Sequence, residues 1–289
     1  MFSDTHFHLQ TMIQERNIDG ELFLKELSEK DVFFCLDIGT KSSDLSQRFS
    51  LFQDLCQRLP QINAEKAEKT VYFTAGIWPS VEEIQNREQA VKTLSSQMQN
   101  FKGAKNKLIA LGECGIDHHW NIAGCDKRNI DDFDKSVFDG ERELFLMQLD
   151  LAKKMDLPVV IHSRDAFEDT FNCIKESGWN KGIIHCFSYG ISEARKFLDC
   201  GWHLALGGSL TYTKKSKLEE IKALLNYIPK DALLFETDSP YLAPVPFRGQ
   251  TNTPLLIPYI YEFAANLMNT TAENLSEQTD INIKKLFRL

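Results

Sequence analysis

"LPVVIHS" (residues 157–163) is a short run of mostly β-branched apolar residues that ends on a histidine and a serine. A continuous rather than alternating apolar run is typical of a strand that is buried on both faces, as the strands of parallel sheets are. Seven further runs, most of them continuous, are bounded by turn residues. They are "MFSDTHFH" (1–8), "VFFCLDIG" (32–39), "VYFTAGI" (71–77), "LIALGEC" (108–114), "GIIHCF" (182–187), "WHLALGG" (202–208) and "ALLFETD" (232–238). The sequence therefore predicts eight strands.

The segments between these runs have the three- and four-residue spacing of amphipathic helices. The repeats are clearest at Val91, Leu94, Met98 and Phe101, at Phe145, Leu149 and Ala152, and at Leu218, Ile221, Leu225 and Ile228. Eight alternations of strand and helix predict an α/β protein with a (β/α)8 TIM barrel. The alternative is an open doubly wound sheet, which would favour a Gly-rich phosphate loop after the first strand. The sequence there is "THFHLQT" (5–11), which contains no glycine.

Length and composition favour one soluble enzyme domain. The 289 residues fit a single barrel domain, 1–289, in which the charged and poorly periodic segment 121–140 is interpreted as a loop insertion. A net charge of −8 argues against a protein that coats nucleic acid through a broad basic face. The sequence shows no run of 18 apolar residues, no secretory signal and no CxxC pair among its seven cysteines. We therefore expect a cytoplasmic protein with reduced thiols and no membrane contact.

Six possible metal ligands stand at the ends of five of the predicted strands: His6, His8, Glu113, His162, His185 and Asp238. The carboxyl ends of barrel strands meet at one mouth, so we expect these side chains to converge. His6 and His8 are two residues apart and point to the same side of their strand. Imidazole and carboxylate donors suit Zn²⁺, Mn²⁺ or Mg²⁺. Six donors are too many for one catalytic zinc with an open position, but they fit two cations that share a bridging carboxylate.

Six motifs, spread over nearly the whole chain, resemble those of the TatD family of metal-dependent deoxyribonucleases, within the wider amidohydrolase-like barrels. They are "DTHFHL" (4–9), "LGECGID" (111–117), "LPVVIHSRDA" (157–166), "IHCFSYG" (184–190), "ETDSPYLAP" (236–244) and "RGQTNTP" (248–254). A His-x-His pair alone would be a weak signal, whereas the six motifs together are highly specific.

The resemblance implies a role for each candidate ligand. His6, His8 and Asp238 would hold one divalent cation (Mg, Mn or Zn), and His162 and His185 would hold a second. Glu113 would bridge the two cations. The implied reaction is hydrolysis of a phosphodiester, with DNA as the expected nucleic acid substrate and no protein partner. Asp238 would accept a proton from the attacking water, so Asp238 and Glu113 are the expected catalytic residues.

Four residues are candidate substrate contacts. Trp78 stands where the family's motif has a histidine, and it either stacks on a base or sugar or packs the rim of the mouth. Arg164 either binds phosphate through its planar guanidinium or pairs with a neighbouring carboxylate. Arg248 and Asn252, in the loop after the eighth predicted strand, either contact the substrate or shape the rim.

Two other functions stay open from the sequence. A metal-dependent amide or ester hydrolase, such as a deacylase, would use the same site on a different bond. A non-catalytic binding protein on this scaffold is the third reading, and the retention of all six candidate ligands argues against it.

Overall fold

The computed structural model describes residues 2–30, 32–103, 107–120, 128–132 and 134–289. Within these residues, eight parallel strands follow one another in chain order around a barrel, so the predicted (β/α)8 fold is confirmed. The strands are β1 (Asp4–Phe7), β2 (Cys35–Asp37), β3 (Val71–Ala75), β4 (Leu108–Asp117), β5 (Val159–Arg164), β6 (Gly182–Ile184), β7 (His203–Leu206) and β8 (Leu233–Phe235). Each of the eight lies within or overlaps one of the predicted apolar runs.

The helices pack around the strands. They are α1 (Leu9–Gln14), α2 (Gly20–Glu29), α3 (Leu45–Cys56), α4 (Gln61–Thr70), α5 (Val81–Gln85), α6 (Arg87–Gln99), α7 (Lys135–Met155), α8 (Phe167–Ser177), α9 (Ile191–Asp199), α10 (Leu218–Tyr227), α11 (Ile257–Met268) and α12 (Ala272–Phe287). Among the residues that the structure describes, no helix is both long and apolar enough to cross a membrane.

Apolar side chains fill the barrel and the layer between strands and helices. The interior is filled by Leu36, Ala110, Val160, Ile183, Ala205 and Leu234. The neighbours Val159 and Ile161 point the other way and pack against the helices, as the two-residue repeat of a strand requires. At the amino end of the barrel the ring of Phe287 from α12 stacks on Phe34, with 5.4 Å between centroids. Apolar packing thus closes the amino end and leaves polar side chains to the carboxyl end.

The first and last strands meet directly at the carboxyl end. A parallel bridge joins Phe7 to Ser239, the Asp238 N–H donates to the His6 carbonyl at 2.9 Å, and the His8 N–H donates to the Ser239 carbonyl at 2.8 Å. Asp238 has a φ of +56°, a left-handed conformation that Asp tolerates better than most residues. Three of the predicted ligands are therefore fixed where the barrel closes.

Strand β4 departs from the prediction that Glu113 ends the fourth strand, because it continues to Asp117. The pairing with β5 shifts register between Gly112, opposite Val160, and Cys114, opposite Ile161, which leaves Glu113 in a bulge. Gly112 has a φ of +144°, and a Cβ there would lie 2.6 Å from the Val160 carbonyl oxygen, so only glycine fits. A bulge inside the strand, rather than the strand end, thus positions Glu113.

The predicted insertion at 121–140 is described only in part, since 121–127 and 133 lie outside the described residues. Helix α7 begins at Lys135, so the last six residues of that segment are helical rather than loop. The Asp134 carboxylate explains this boundary, because it accepts hydrogen bonds from the free N–H groups of Ser136 and Val137. Arg128, from the same charged segment, is fully buried.

Candidate metal centre

His6, His8 and Asp238 form a first donor cluster together with one oxygen of Glu113. The Nε2 atoms of the two histidines are 3.1 Å apart. Glu113 Oε2 lies 3.4 and 3.8 Å from them, and Asp238 Oδ1 lies 3.6 and 3.5 Å from them. Donors bound tetrahedrally to one cation at about 2.0–2.1 Å are about 3.3 Å from one another. The four donor atoms therefore have the spacing of a coordination shell.

His162, His185 and the other oxygen of Glu113 form a second cluster. His162 Nδ1 lies 2.8 Å and His185 Nε2 lies 3.0 Å from Glu113 Oε1, and the two nitrogens are 3.1 Å apart. Three protein donors around one point are what a catalytic site offers when it keeps a position for water or substrate. Glu113 thus presents one oxygen to each cluster.

In three of these histidines the ring nitrogen that faces away from the clusters lies near an oxygen. The pairs are His8 Nδ1 with the Ile38 carbonyl at 3.3 Å, His162 Nε2 with Asp117 Oδ2 at 3.0 Å, and His185 Nδ1 with Glu236 Oε1 at 3.4 Å. An N–H directed at such an oxygen leaves the lone pair on the nitrogen that faces the cluster. This is the arrangement expected of metal-binding histidines, so the residues fit a cation by the oxygens behind their rings as well as by their spacing.

The charges of the two clusters are strongly coupled. Burial opposes ionisation of Glu113, but the charge of His185 and hydrogen bonds from the imidazoles hold its pKa well below the ordinary value. Burial likewise opposes a charged His162, yet its hydrogen bonds to Asp117 and Glu113 raise its pKa to about 9. The pKa of His185 is also raised, because Glu113 and Glu236 outweigh the effect of burial. Cation binding at neutral pH must therefore displace protons from these imidazoles.

Two carboxylates that contact the clusters, Asp117 and Glu236, are missing from the predicted ligand set. Both are fully buried, and they face the outer nitrogens of His162 and His185. Glu236 also accepts a hydrogen bond from the Cys186 N–H at 2.5 Å. A signal was present for each: Asp117 ends the motif 111–117, and Glu236 lies two residues before Asp238, a spacing that favours the same side of a strand.

Two predicted substrate contacts lie beside the second cluster. Trp78 is half-buried, and its ring stands edge-on to the His162 ring with 6.0 Å between centroids. The Arg164 side chain is 40 % exposed, with Nη1 3.9 Å from Asp117 Oδ2. Both side chains therefore lie next to the second cluster, and their contact with a substrate stays a prediction.

The other two predicted contacts do not join the donor clusters. Asn252 is fully buried, and its amide donates to the carbonyls of Thr237 at 2.9 Å and Tyr241 at 2.7 Å. Of its two predicted roles, the structure supports shaping the rim, because both donors already serve the loop. Arg248 is exposed, and its guanidinium lies over the ring of Tyr212 at 4.3 Å.

A (β/α)8 barrel with imidazole and carboxylate clusters at its carboxyl mouth has the architecture of the metal-dependent barrel hydrolases. The sequence model of the family described as TatD related DNase matches residues 3–288, and the chain belongs to this family.

Relatives and solved structures agree with the family. The chain is 31% identical to the uncharacterized metal-dependent hydrolase YabD of Bacillus subtilis, with 100% of both chains covered. It is 28% identical to the uncharacterized metal-dependent hydrolase YcfH of Escherichia coli K12, covering 99% of this chain and 95% of that one. The crystal structure of the TatD homologue YJJV from Escherichia coli K12 superposes with a TM-score of 0.77 at 23% identity, covering 100% of this chain and 98% of that one. The chain is therefore a metal-dependent hydrolase of the TatD family.

Proposed function

We propose that the protein is a deoxyribonuclease that hydrolyses phosphodiester bonds with the help of two divalent cations, Mg²⁺, Mn²⁺ or Zn²⁺. The observation that carries the proposal is the placement of Glu113, whose two oxygens face two separate sets of imidazoles at 2.8–3.8 Å. A shared carboxylate between two donor sets is typical of sites in which two cations act on one phosphate.

The candidate ligands would have separate roles in such a reaction. His6, His8 and Asp238 would hold one cation, His162 and His185 the other, and Glu113 both. When bound, a pair of cations neutralises charge on the phosphate and lowers the pKa of a water molecule.

Asp238 would accept the proton of the attacking water. Burial raises its pKa, but the hydrogen bond with His8 and the neighbouring imidazoles outweigh burial and lower the pKa below its ordinary value. The carboxylate is therefore ionised at neutral pH and has a second oxygen besides the one that faces His6 and His8.

Arg164 and Trp78 would position the substrate next to the second cluster. The exposed guanidinium of Arg164 suits two phosphate oxygens at once. The Trp78 ring, in edge contact with His162, would stack on the base or sugar beside the scissile phosphate.

The test is cleavage of a labelled single-stranded DNA oligonucleotide, with a free or a blocked 3′ end, by protein stripped with a chelator and reloaded with one cation at a time. We expect cleavage that requires the cation and is absent from an Asp238→Ala protein purified in the same way. Amide and ester substrates are assayed in parallel. Turnover of those substrates without cleavage of DNA would mean that the protein is an amide or ester hydrolase, such as a deacylase, and not a deoxyribonuclease. Cation uptake without any turnover would favour a binding protein.

A further inference from the structure

We propose that Arg128 is a positioning residue that fixes Asp117, and through it His162, and thereby sets the cation affinity of the second cluster. The inference rests on the two-cation site proposed above. It concerns a residue of the charged segment 121–140 that contacts none of the proposed donor atoms.

Arg128 is buried against aromatic rings, unlike an ordinary surface arginine. It is 0 % exposed, and its guanidinium carbon lies 4.0 Å from the centre of the Trp120 ring and 5.7 Å from that of Trp78. Cation–π contact with these rings and close packing hold the guanidinium in one plane. Its fork is therefore presented in one orientation.

That fork holds the backbone of Asp117 at the end of β4. One Arg128 nitrogen, Nη2, donates to the Asp117 carbonyl and also to Glu141 Oε1 at 3.0 Å, while Nη1 donates to the Pro79 carbonyl. The same Glu141 oxygen accepts from the Asp117 N–H at 2.8 Å. Arg128 and Glu141 thus hold the carbonyl and the N–H of Asp117 from two sides.

The Asp117 side chain passes this constraint to the second cluster. Its Oδ1 accepts from the His119 N–H at 2.8 Å and lies 3.9 Å from Arg128 Nε, which leaves Oδ2 to face His162 Nε2 at 3.0 Å. When His162 is neutral and donates from Nε2, the lone pair of Nδ1, the atom that lies 2.8 Å from Glu113 Oε1, is left for a cation. The chain of contacts therefore runs from Arg128 to the ligand atom of His162.

Charge explains why arginine is suited to this position. Asp117 and Glu141 are both 0 % exposed, and without Arg128 they would be two buried carboxylates that lack this counter-charge. Lysine would restore the charge but not the planar fork that reaches three acceptors. The inference thus predicts a graded series in which lysine at 128 is intermediate between arginine and glutamine.

The experiment measures binding of Mn²⁺ alone to metal-free protein by titration calorimetry, for the wild type, Arg128→Lys and Arg128→Gln. Substitutions behind a metal-binding histidine typically cost about 10–100-fold in affinity. We expect Arg128→Gln to weaken one of the two Mn²⁺ sites at least about tenfold and to leave the other unchanged. We also expect the ¹⁵N signals of the His162 ring in metal-free protein, recorded above the His162 pKa of about 9 so that the ring is neutral, to shift away from the Nε2–H form. The control is Arg142→Gln, which removes a surface arginine paired with Glu176.

A double-mutant cycle with Asp117→Asn separates positioning from folding. If Arg128 acts through Asp117, adding Arg128→Gln to the Asp117→Asn protein costs little further affinity. Additive losses, equal weakening of both sites, or an unchanged His162 spectrum would overturn the proposal. Should Arg128→Gln not fold, Arg128→Met with Glu141→Gln removes the charge and its partner together, and the same site-selective loss is required. A wild-type protein that binds only one Mn²⁺ would refute the two-cation site instead.

Discussion

Replacing Glu113 by glutamine is the sharpest perturbation of the proposed bridge. The substitution keeps the shape of the side chain but exchanges one oxygen for an NH2 group and removes a negative charge. Whichever cluster receives the NH2 loses a ligand, because that group cannot bind a cation. We therefore expect Glu113→Gln to bind one divalent cation tightly at most, whereas the wild type binds two.

The magnitude follows from the distances in the second cluster. Glu113 Oε1 lies 3.0 Å from His185 Nε2. With a cation held between these two atoms, the charge of the carboxylate lies about 3 Å from the cation, and at that separation one pair of unit charges is worth about 5.5 kcal/mol at an effective dielectric constant of about 20. Solvent and the remaining ligands reduce this value, and each 1.4 kcal/mol corresponds to about tenfold in affinity. We accordingly expect the weaker site to lose at least about 10²-fold in affinity.

The assay is equilibrium dialysis against Mn²⁺ or Zn²⁺, followed by metal analysis, with the stability of the metal-free variant measured in parallel. Glu220→Gln is the matched control, because Glu220 is an exposed residue in the first turn of α10. Two cations bound by Glu113→Gln at wild-type affinity, or full activity of that variant, would refute the bridging role.

Three further predictions concern the base, the substrate and the imidazoles. Asp238→Asn should bind cations nearly as well as the wild type but lose about 10²-fold or more in turnover, since the amide cannot accept a proton. If its turnover at saturating cation stayed near that of the wild type, another residue would be the base. Trp78→His should weaken binding of a short single-stranded oligonucleotide by about 1–3 kcal/mol, measured by fluorescence anisotropy, while Trp78→Phe should keep most of the wild-type affinity. Unchanged affinity in both variants would mean that the ring only packs the rim. The pKa of His162 is raised from 6.5 to about 9, so its contribution to the stability of metal-free protein should be complete below about pH 6.5 and vanish as pH rises through 9. Urea unfolding should show that the free energy of unfolding falls by up to about 3 kcal/mol over that range. This fall should be absent from the His162→Gln protein.

The positions of the candidate ligands could be predicted because they depend on local rules. His6 and His8 follow the two-residue repeat of a strand, and His162 and His185 lie within or just after buried β-branched runs. Barrel topology alone then brings them to one mouth. Two local settings differed: Glu113 lies in a bulge, and β5 continues past His162 to Arg164. A bulge depends on which glycines lie close to the neighbouring backbone, and hydrophobic periodicity does not reveal such a contact.

The residues behind the ligands could not be predicted in the same way. Arg128 belongs to a charged, aperiodic segment whose composition predicts exposure, yet it is fully buried against the ring of Trp120. Its burial depends on Asp117 and Glu141, which come from different elements and offer two carboxylates that arginine can satisfy together. Such a contact arises from the tertiary fold, so a single sequence carries no pattern for it.

Anomalous diffraction from crystals grown with Mn²⁺ tests the central claim most directly. The account predicts two peaks about 3.5–4 Å apart at the carboxyl mouth, as in two-metal sites generally. One peak should lie against His6, His8 and Asp238, the other against His162 and His185, with an oxygen of Glu113 on each. A single peak, or two peaks of which one has no contact with Glu113, would contradict it.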